Sequence, residues 1–159
     1  MITQKEAKEI FDYDPETGDI KWKISKGSAK AGKKAGKING KGYLVVTINR
    51  VYYQGHRLAW LHYYGEWPSF HIDHIDHDKT NNSIKNLRDV SVSENMQNQV
   101  KAKSNNKSGL LGVSSSKQGF YAEIKANGKR IYLGLHKTAQ DAHDAYLKAK
   151  REMHTTNTL

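Results

Sequence analysis

The chain has 159 residues, 26 Lys and Arg against 16 Asp and Glu, a formal charge of +10 and no cysteine, and its pI is about 9.6. That length gives one domain or two small ones, each with a limited core. The missing thiols exclude disulfide stapling and a four-cysteine zinc site. No apolar run reaches the roughly twenty residues a membrane helix needs, and Met1 to Asp14 is charged with no apolar signal core. A soluble protein of the cytoplasm with a polyanionic partner is the expectation, with no membrane and no required protein partner evident.

From the N-terminus, Glu6 to Phe11 reads as a short helix, Asp14-Pro15-Glu16-Thr17-Gly18 as a turn, and Ile20 to Ile24 as a strand. Between Ile20 and Gly65 no acidic residue occurs, while Lys21, Lys23, Lys26, Lys30, Lys33, Lys34, Lys37, Lys41, Arg50 and Arg57 all do. Such a stretch can neutralise phosphates, with Lys33, Lys34 and Arg57 as the residues expected to do so. For Lys26 to Lys41 alone, a solvated loop that only aids solubility is the other reading. Asn39-Gly40 is a turn signal, and Tyr43 to Ile48 with Val51 to Gln54 forms a hairpin around Asn49-Arg50. Arg57 to Tyr64 carries Leu58, Trp60 and Leu61 at helical spacing, and Trp60 and Trp67 are expected in the core. His56 and Arg57 are either phosphate contacts or a structural pair at the start of that helix.

Phe70 to Ile75 is expected as a strand, Asp76 to Ser83 as a polar turn, and Leu87 to Val92 as a second strand. Ser91-Val92-Ser93-Glu94 fits a capping box for a helix to about Lys103, which puts Asn95 in its first turn. Strand, loop, strand and helix would bring Asp73, His74 and Asn95 together. An acid beside a histidine, with an asparagine 22 positions after the acid, can hold one hard cation next to a general base.

The pattern Asp73-His74, eleven residues, Asn86-Leu87-Arg88, then Asn95 in Ser93-Glu94-Asn95 resembles the HNH homing endonucleases of the ββα-metal superfamily. The resemblance extends upstream through Gly55-His56-Arg57-Leu58-Ala59-Trp60 and Gly65-Glu66-Trp67-Pro68, as in free-standing and intron-borne phage enzymes. It implies that His74 is the general base and that Asp73 and Asn95 hold one Mg²⁺ or Mn²⁺. It further implies that Asn86 fixes the loop and orients His74. Double-stranded DNA would be the substrate, and hydrolysis would leave 5′-phosphate and 3′-hydroxyl ends. One such site per chain makes a strand nick the most economical outcome. His71 and His77 lie outside the pattern, and their roles stay open.

Lys101 to Gly109 is polar and basic and reads as a linker. Beyond it, Leu111 to Ser115, Phe120 to Ala126 and Arg130 to Leu135 suggest strands, the last two joined at Asn127-Gly128. Thr138 to Asp141 then fits a capping box for a helix to about Met153, with Ala139, Ala142, Ala145, Tyr146 and Ala149 as its small-residue stripe. Gly112-Val113, Tyr121-Ala122-Glu123-Ile124, Tyr132-Leu133-Gly134 and Thr138-Ala139 resemble the plant APETALA/ethylene-response-factor DNA-binding domain, whose sheet enters the major groove. Alternation turns Phe120, Ala122, Ile124, Ile131 and Leu133 inward and leaves Tyr121, Glu123, Lys125, Arg130 and Tyr132 outward. Lys125, Arg130 and Tyr132 are the expected DNA contacts, while Ser114 and Ser116 stand where that family has arginines.

The expected class is α+β: a basic N-terminal module over 1–55, a ββα-metal nuclease core over 56–104, and a three-stranded antiparallel sheet packed on one helix over 105–159. The function expected is a DNA endonuclease. A catalytically silent DNA-binding regulator is the alternative, and a nuclease for structured or single-stranded nucleic acid is a third reading.

Overall fold

A computed structural model describes residues 1–25, 27–97, 102 and 105–154. Helices and strands are mixed, as an α+β class requires. The chain forms two compact units, Met1–Val92 and Ser93–Leu159.

In the first unit, helix α1 spans Gln4–Ile10. It starts two residues earlier than the sequence suggests because Thr3 and Glu6 close a reciprocal capping box, with Thr3 N donating to Glu6 Oε2 at 2.7 Å. Phe11 leaves the helix and opens strand β1, Phe11–Tyr13. Burial decides this, since its ring is 1% exposed and packs 4.8 Å from Trp22. Strand β2, Ile20–Trp22, pairs antiparallel with β1.

Strands β3 (Lys37–Ile38), β4 (Leu44–Ile48) and β5 (Val51–Gln54) form the next sheet in chain order. The hairpin between β4 and β5 turns at Asn49 and Arg50, both at positive φ (49° and 66°), as a two-residue turn matching strand twist demands. Helix α2, Gly55–Tyr64, follows and ends at Gly65, whose φ of 92° lets its N–H cap Leu61 O. Strand β6 (His71–His74) pairs antiparallel with β7 (Leu87–Val90), and a single 3₁₀ turn at Ile84–Asn86 precedes β7.

Two apolar clusters hold this unit. Phe11, Ile20, Ala35, Val46, Ile48, Tyr53 and Leu58 form the larger, so residues 1–55 and the helix after them share one core. Trp67 packs on it, stacked 5.7 Å from Tyr53, and its Nε1 donates to Ile2 O at 3.0 Å. Ala59, Ile72 and Leu87 form the smaller, with Tyr13 and Trp60 against it. Both tryptophans are therefore packing residues. The smaller cluster fixes the β6–β7 hairpin on α2.

Helix α3 spans Val92–Gln97. The remainder of the helix expected to about Lys103, parts of the expected linker and Lys26 lie outside the described residues. In the second unit, β8 (Val113–Ser116), β9 (Gly119–Ala126) and β10 (Lys129–His136) form an antiparallel sheet in the order β10-β9-β8. Helix α4, Ala139–Met153, is capped by Thr138 Oγ1, which accepts from Asp141 N at 3.1 Å. Val113, Ala122, Ile124, Ala142, Tyr146 and Ala149 form the core between sheet and helix. Small alanines on α4 allow the close approach that a sheet-covering helix needs.

Leu58 is 2% exposed at the centre of the larger cluster. Leu58→Ala is expected to destabilise the first unit by about 2–5 kcal/mol, through lost burial and the cavity left behind. Denaturant unfolding followed by tryptophan fluorescence measures this.

Candidate active site

Strand alternation sets the local chemistry. Ile72 and His74 turn to the buried side of β6, where Ile72 enters the smaller core and His74 is 4% exposed. Asp73 points the other way and meets Arg88, its register partner on β7. Arg88 Nε and Nη2 both donate to Asp73 Oδ2, at 2.9 and 2.8 Å. A two-pronged guanidinium contact fixes the carboxylate's direction.

His74 sits among aromatic rings. His56, from the first turn of α2, stands perpendicular to it with centroids 5.2 Å apart. Tyr43 lies 5.4 Å from His56 and 6.1 Å from His74, and the Lys79 ammonium lies over that tyrosine ring, 4.8 Å from its centroid. Burial lowers the His74 pKa below the ordinary imidazole value, against the opposing pull of Asn82 and of Asp76, Asp73 and Asp78. The ring is neutral near pH 7, as a general base must be. Burial also pushes His56 down, to about 3, with the nearby His74 and Arg57 adding to the effect.

The loop between β6 and β7 supplies its own hydrogen bonds. Asn86 Oδ1 accepts from Asp76 N at 3.0 Å, and its Nδ2 donates to Asp76 Oδ1 and to Asn81 O, each at 2.8 Å. The Asn86 carbonyl accepts from Ile75 N at 2.9 Å. Asn81 Nδ2 donates to Asp76 Oδ2 at 2.6 Å. Partial burial works to raise the Asp76 pKa, yet these donors and the Asp78 N–H hold it below the usual carboxylate value. The side chain that meets His74 is Asn82, whose Oδ1 lies 3.3 Å from Nε2.

The other expected site residues are spread over both units. Arg57 donates to Phe70 O at 3.2 Å and Pro68 O at 3.5 Å, and its guanidinium lies 5.8 Å from the Trp67 ring centroid. Together with buried His56, this places the pair in the framework around the site. Lys33 is exposed, and Lys34 forms a 2.7 Å exposed pair with Asp19. Asn95 lies half-buried on α3 and belongs to the second unit. Lys125, Arg130 and Tyr132 are exposed on β9 and β10, where Arg130 Nη1 is 3.4 Å from Glu123 Oε1. Sequence reasoning did not single out Asn82, Tyr43 or Asp76. The Asn81-Asn82 doublet inside a turn already rich in aspartate was the available signal.

Among the described residues no three His, Cys, Asp or Glu side chains gather into a metal cage. Asp73, within the first unit, offers oxygen donors of carboxylate type. That chemistry fits a hard divalent cation which keeps much of its shell for water and phosphate.

Asn86→Ala leaves the Asp76 N–H and the Asn81 carbonyl without that partner, and is expected to cost roughly 1–3 kcal/mol, read as a lower melting temperature. A second expectation concerns acid stability. An unfolded histidine takes up a proton near pH 6.5 whereas folded His56 does so only near pH 3, so the unfolded state binds more protons between those values. Stability contributed by neutral His56 is complete above about pH 6.5 and falls away as pH drops towards 3. Urea midpoints at pH 7 and pH 4.5 should therefore differ less in His56→Phe than in the wild type.

Residues 53–97 match the family model described as HNH endonuclease. The solved structure of DNA binding and cleavage by the HNH homing endonuclease I-HmuI is similar, at 28% identity and a TM-score of 0.45. That likeness covers 62% of this chain and 56% of the other, so this chain spans little more than half of that one's length. A search of curated proteins found no match. The segment that carries His56, Asp73, His74, Asn82, Asn86 and Asn95 is thus the part of the chain that matches an HNH endonuclease domain.

Proposed function

We propose that this chain is a DNA endonuclease of the homing type which nicks one strand of double-stranded DNA. The observation that carries the reading is the pairing on β6 of a buried, neutral His74 with an Arg88-oriented Asp73, inside the matched domain. His74 takes a proton from a water molecule, which attacks phosphorus in line. The bond from phosphorus to the 3′ oxygen breaks, leaving 5′-phosphate and 3′-hydroxyl ends. Asp73 with Asn95 would hold Mg²⁺ or Mn²⁺ in the ββα-metal manner. When bound, that ion supplies charge stabilisation to the phosphate and the departing oxygen. Arg88 keeps the Asp73 carboxylate aimed, and Asn86 keeps the loop closed around His74.

The parts divide the work as the sequence suggests, with 1–55 as a basic module, 56–104 as the nuclease core and 105–159 as a DNA reader. Lys33 and Lys34 neutralise backbone phosphates, and Arg57 adds its charge from its tether to Pro68 and Phe70. The outward face of β9 and β10 presents Lys125, Arg130 and Tyr132 in the manner of the APETALA/ethylene-response-factor sheet. Exposure of these residues, Tyr132 at 63%, supports that use.

Supercoiled plasmid with Mg²⁺ or Mn²⁺ provides the test. Intact protein should yield nicked circles, and His74→Ala should lose turnover while keeping DNA affinity. Asp73→Ala should need more metal for any residual cutting, and Arg130→Ala with Tyr132→Ala should weaken binding and spread the nick positions. Normal cutting by His74→Ala would reject the assignment of the base.

A further inference from the structure

The two nitrogens of an imidazole are chemically distinct, and a neutral ring carries a proton on only one of them. Asn82 decides which. It is 1% exposed, and its Nδ2 donates to Thr80 O at 3.2 Å. A backbone carbonyl can only accept, so the amide nitrogen must face Thr80 and the amide oxygen must face His74. That oxygen also only accepts. His74 Nε2, 3.3 Å away, is therefore the nitrogen that carries the proton, and Nδ1 keeps the lone pair.

Asn82 is itself held from outside the matched domain. Tyr13 Oη donates to Asn82 O at 2.8 Å, Ile84 N donates to Pro15 O at 2.9 Å, and Lys85 Nζ pairs with Glu16 Oε2 at 2.7 Å. Gly18, at φ +76°, lies so close that a Cβ there would stand 2.4 Å from Asn82 C and from Ser83 N. Four consecutive contacts pin the chain from Asn82 to Lys85 against the turn between β1 and β2.

We infer that Asn82 is a positioning residue which fixes His74 with its proton on Nε2 and Nδ1 as the basic nitrogen, and that residues 13–18 are the brace which keeps Asn82 in place. The inference rests on the reading of His74 as general base. It makes the N-terminal segment part of the catalytic apparatus as well as a basic surface, although the domain match begins at residue 53.

The test uses the full chain labelled with ¹⁵N-histidine, with His74 assigned from the resonance lost in His74→Gln. Wild-type protein should show the Nε2-protonated tautomer. Asn82→Ala should shift His74 to a mixture of tautomers and lower kcat for plasmid nicking by about 10- to 100-fold, as outer-shell losses do, at little change in KM. Asn82→Asp, which restores an accepting oxygen, should recover the Nε2-protonated signature and most of the rate. Gly18→Ala should reproduce the Asn82→Ala spectrum, and Tyr13→Phe should do so in part. A wild-type His74 protonated on Nδ1, or an unchanged tautomer in Asn82→Ala, overturns the inference. If Asn82→Ala does not fold, the wild-type and Asn82→Asp spectra still decide it. Should His74→Gln cut DNA normally, the base assignment fails while the tautomer result stands on its own.

Discussion

The segment between β6 and β7 is exposed along Ile75 to Thr80 but carries two buried asparagines, Asn82 and Asn86, whose side chains pair its polar groups. Its regular structure is limited to the 3₁₀ turn at Ile84–Asn86, and each buried donor or acceptor left unmet would cost roughly 1–3 kcal/mol. Asn86 closes the base of the loop on Asp76 and Asn81, while Asn82 bridges Thr80 and His74. An amide suits these places because it donates and accepts at once. A carboxylate would only accept, and a hydroxyl would not span the gap.

Strand alternation gives two adjacent residues of β6 opposite surroundings. Asp73 faces outward to Arg88, whereas His74 faces inward among Tyr43, His56 and Asn82. Burial lowers the imidazole pKa and the surrounding carboxylates partly offset it. His56 adds packing without competing for a proton, since burial leaves it neutral down to about pH 3. Its Nδ1 finds no hydrogen-bond partner among the described residues, a cost consistent with a place taken for ring packing beside His74.

Charge is arranged around this site by sign. Positive residues fill the stretch from Ile20 to Gly65, and the aspartates gather in the β6–β7 loop. A polyanion approaching such a surface is attracted by its basic flanks. The second unit follows a different rule, with a sheet whose inner face is apolar, packed on a small-residue helix, and whose outer face carries Lys125, Arg130 and Tyr132.

Periodicity and turn chemistry made most elements legible in the sequence. The β4–β5 hairpin around Asn49-Arg50, helix α2, the β6–β7 pair and the sheet and helix of the second unit all lie within a few residues of where local patterns put them. The Asp73-His74 pair and Asn86 stood out in the sequence by residue type and spacing. Other features depended on distant contacts. Phe11 left its helix because the core claimed its ring. Arg57 was drawn to the Pro68 and Phe70 carbonyls, and the His56 ring was buried in the first turn of α2. Asn82 meets His74 in a loop whose backbone is contacted by Tyr13, 69 positions earlier, and by Gly18. The sequence by itself determined which groups could do the chemistry, since identity and spacing fix them. Tertiary structure decided which nitrogen of His74 is basic, because that depends on an oxygen placed by packing from another part of the chain.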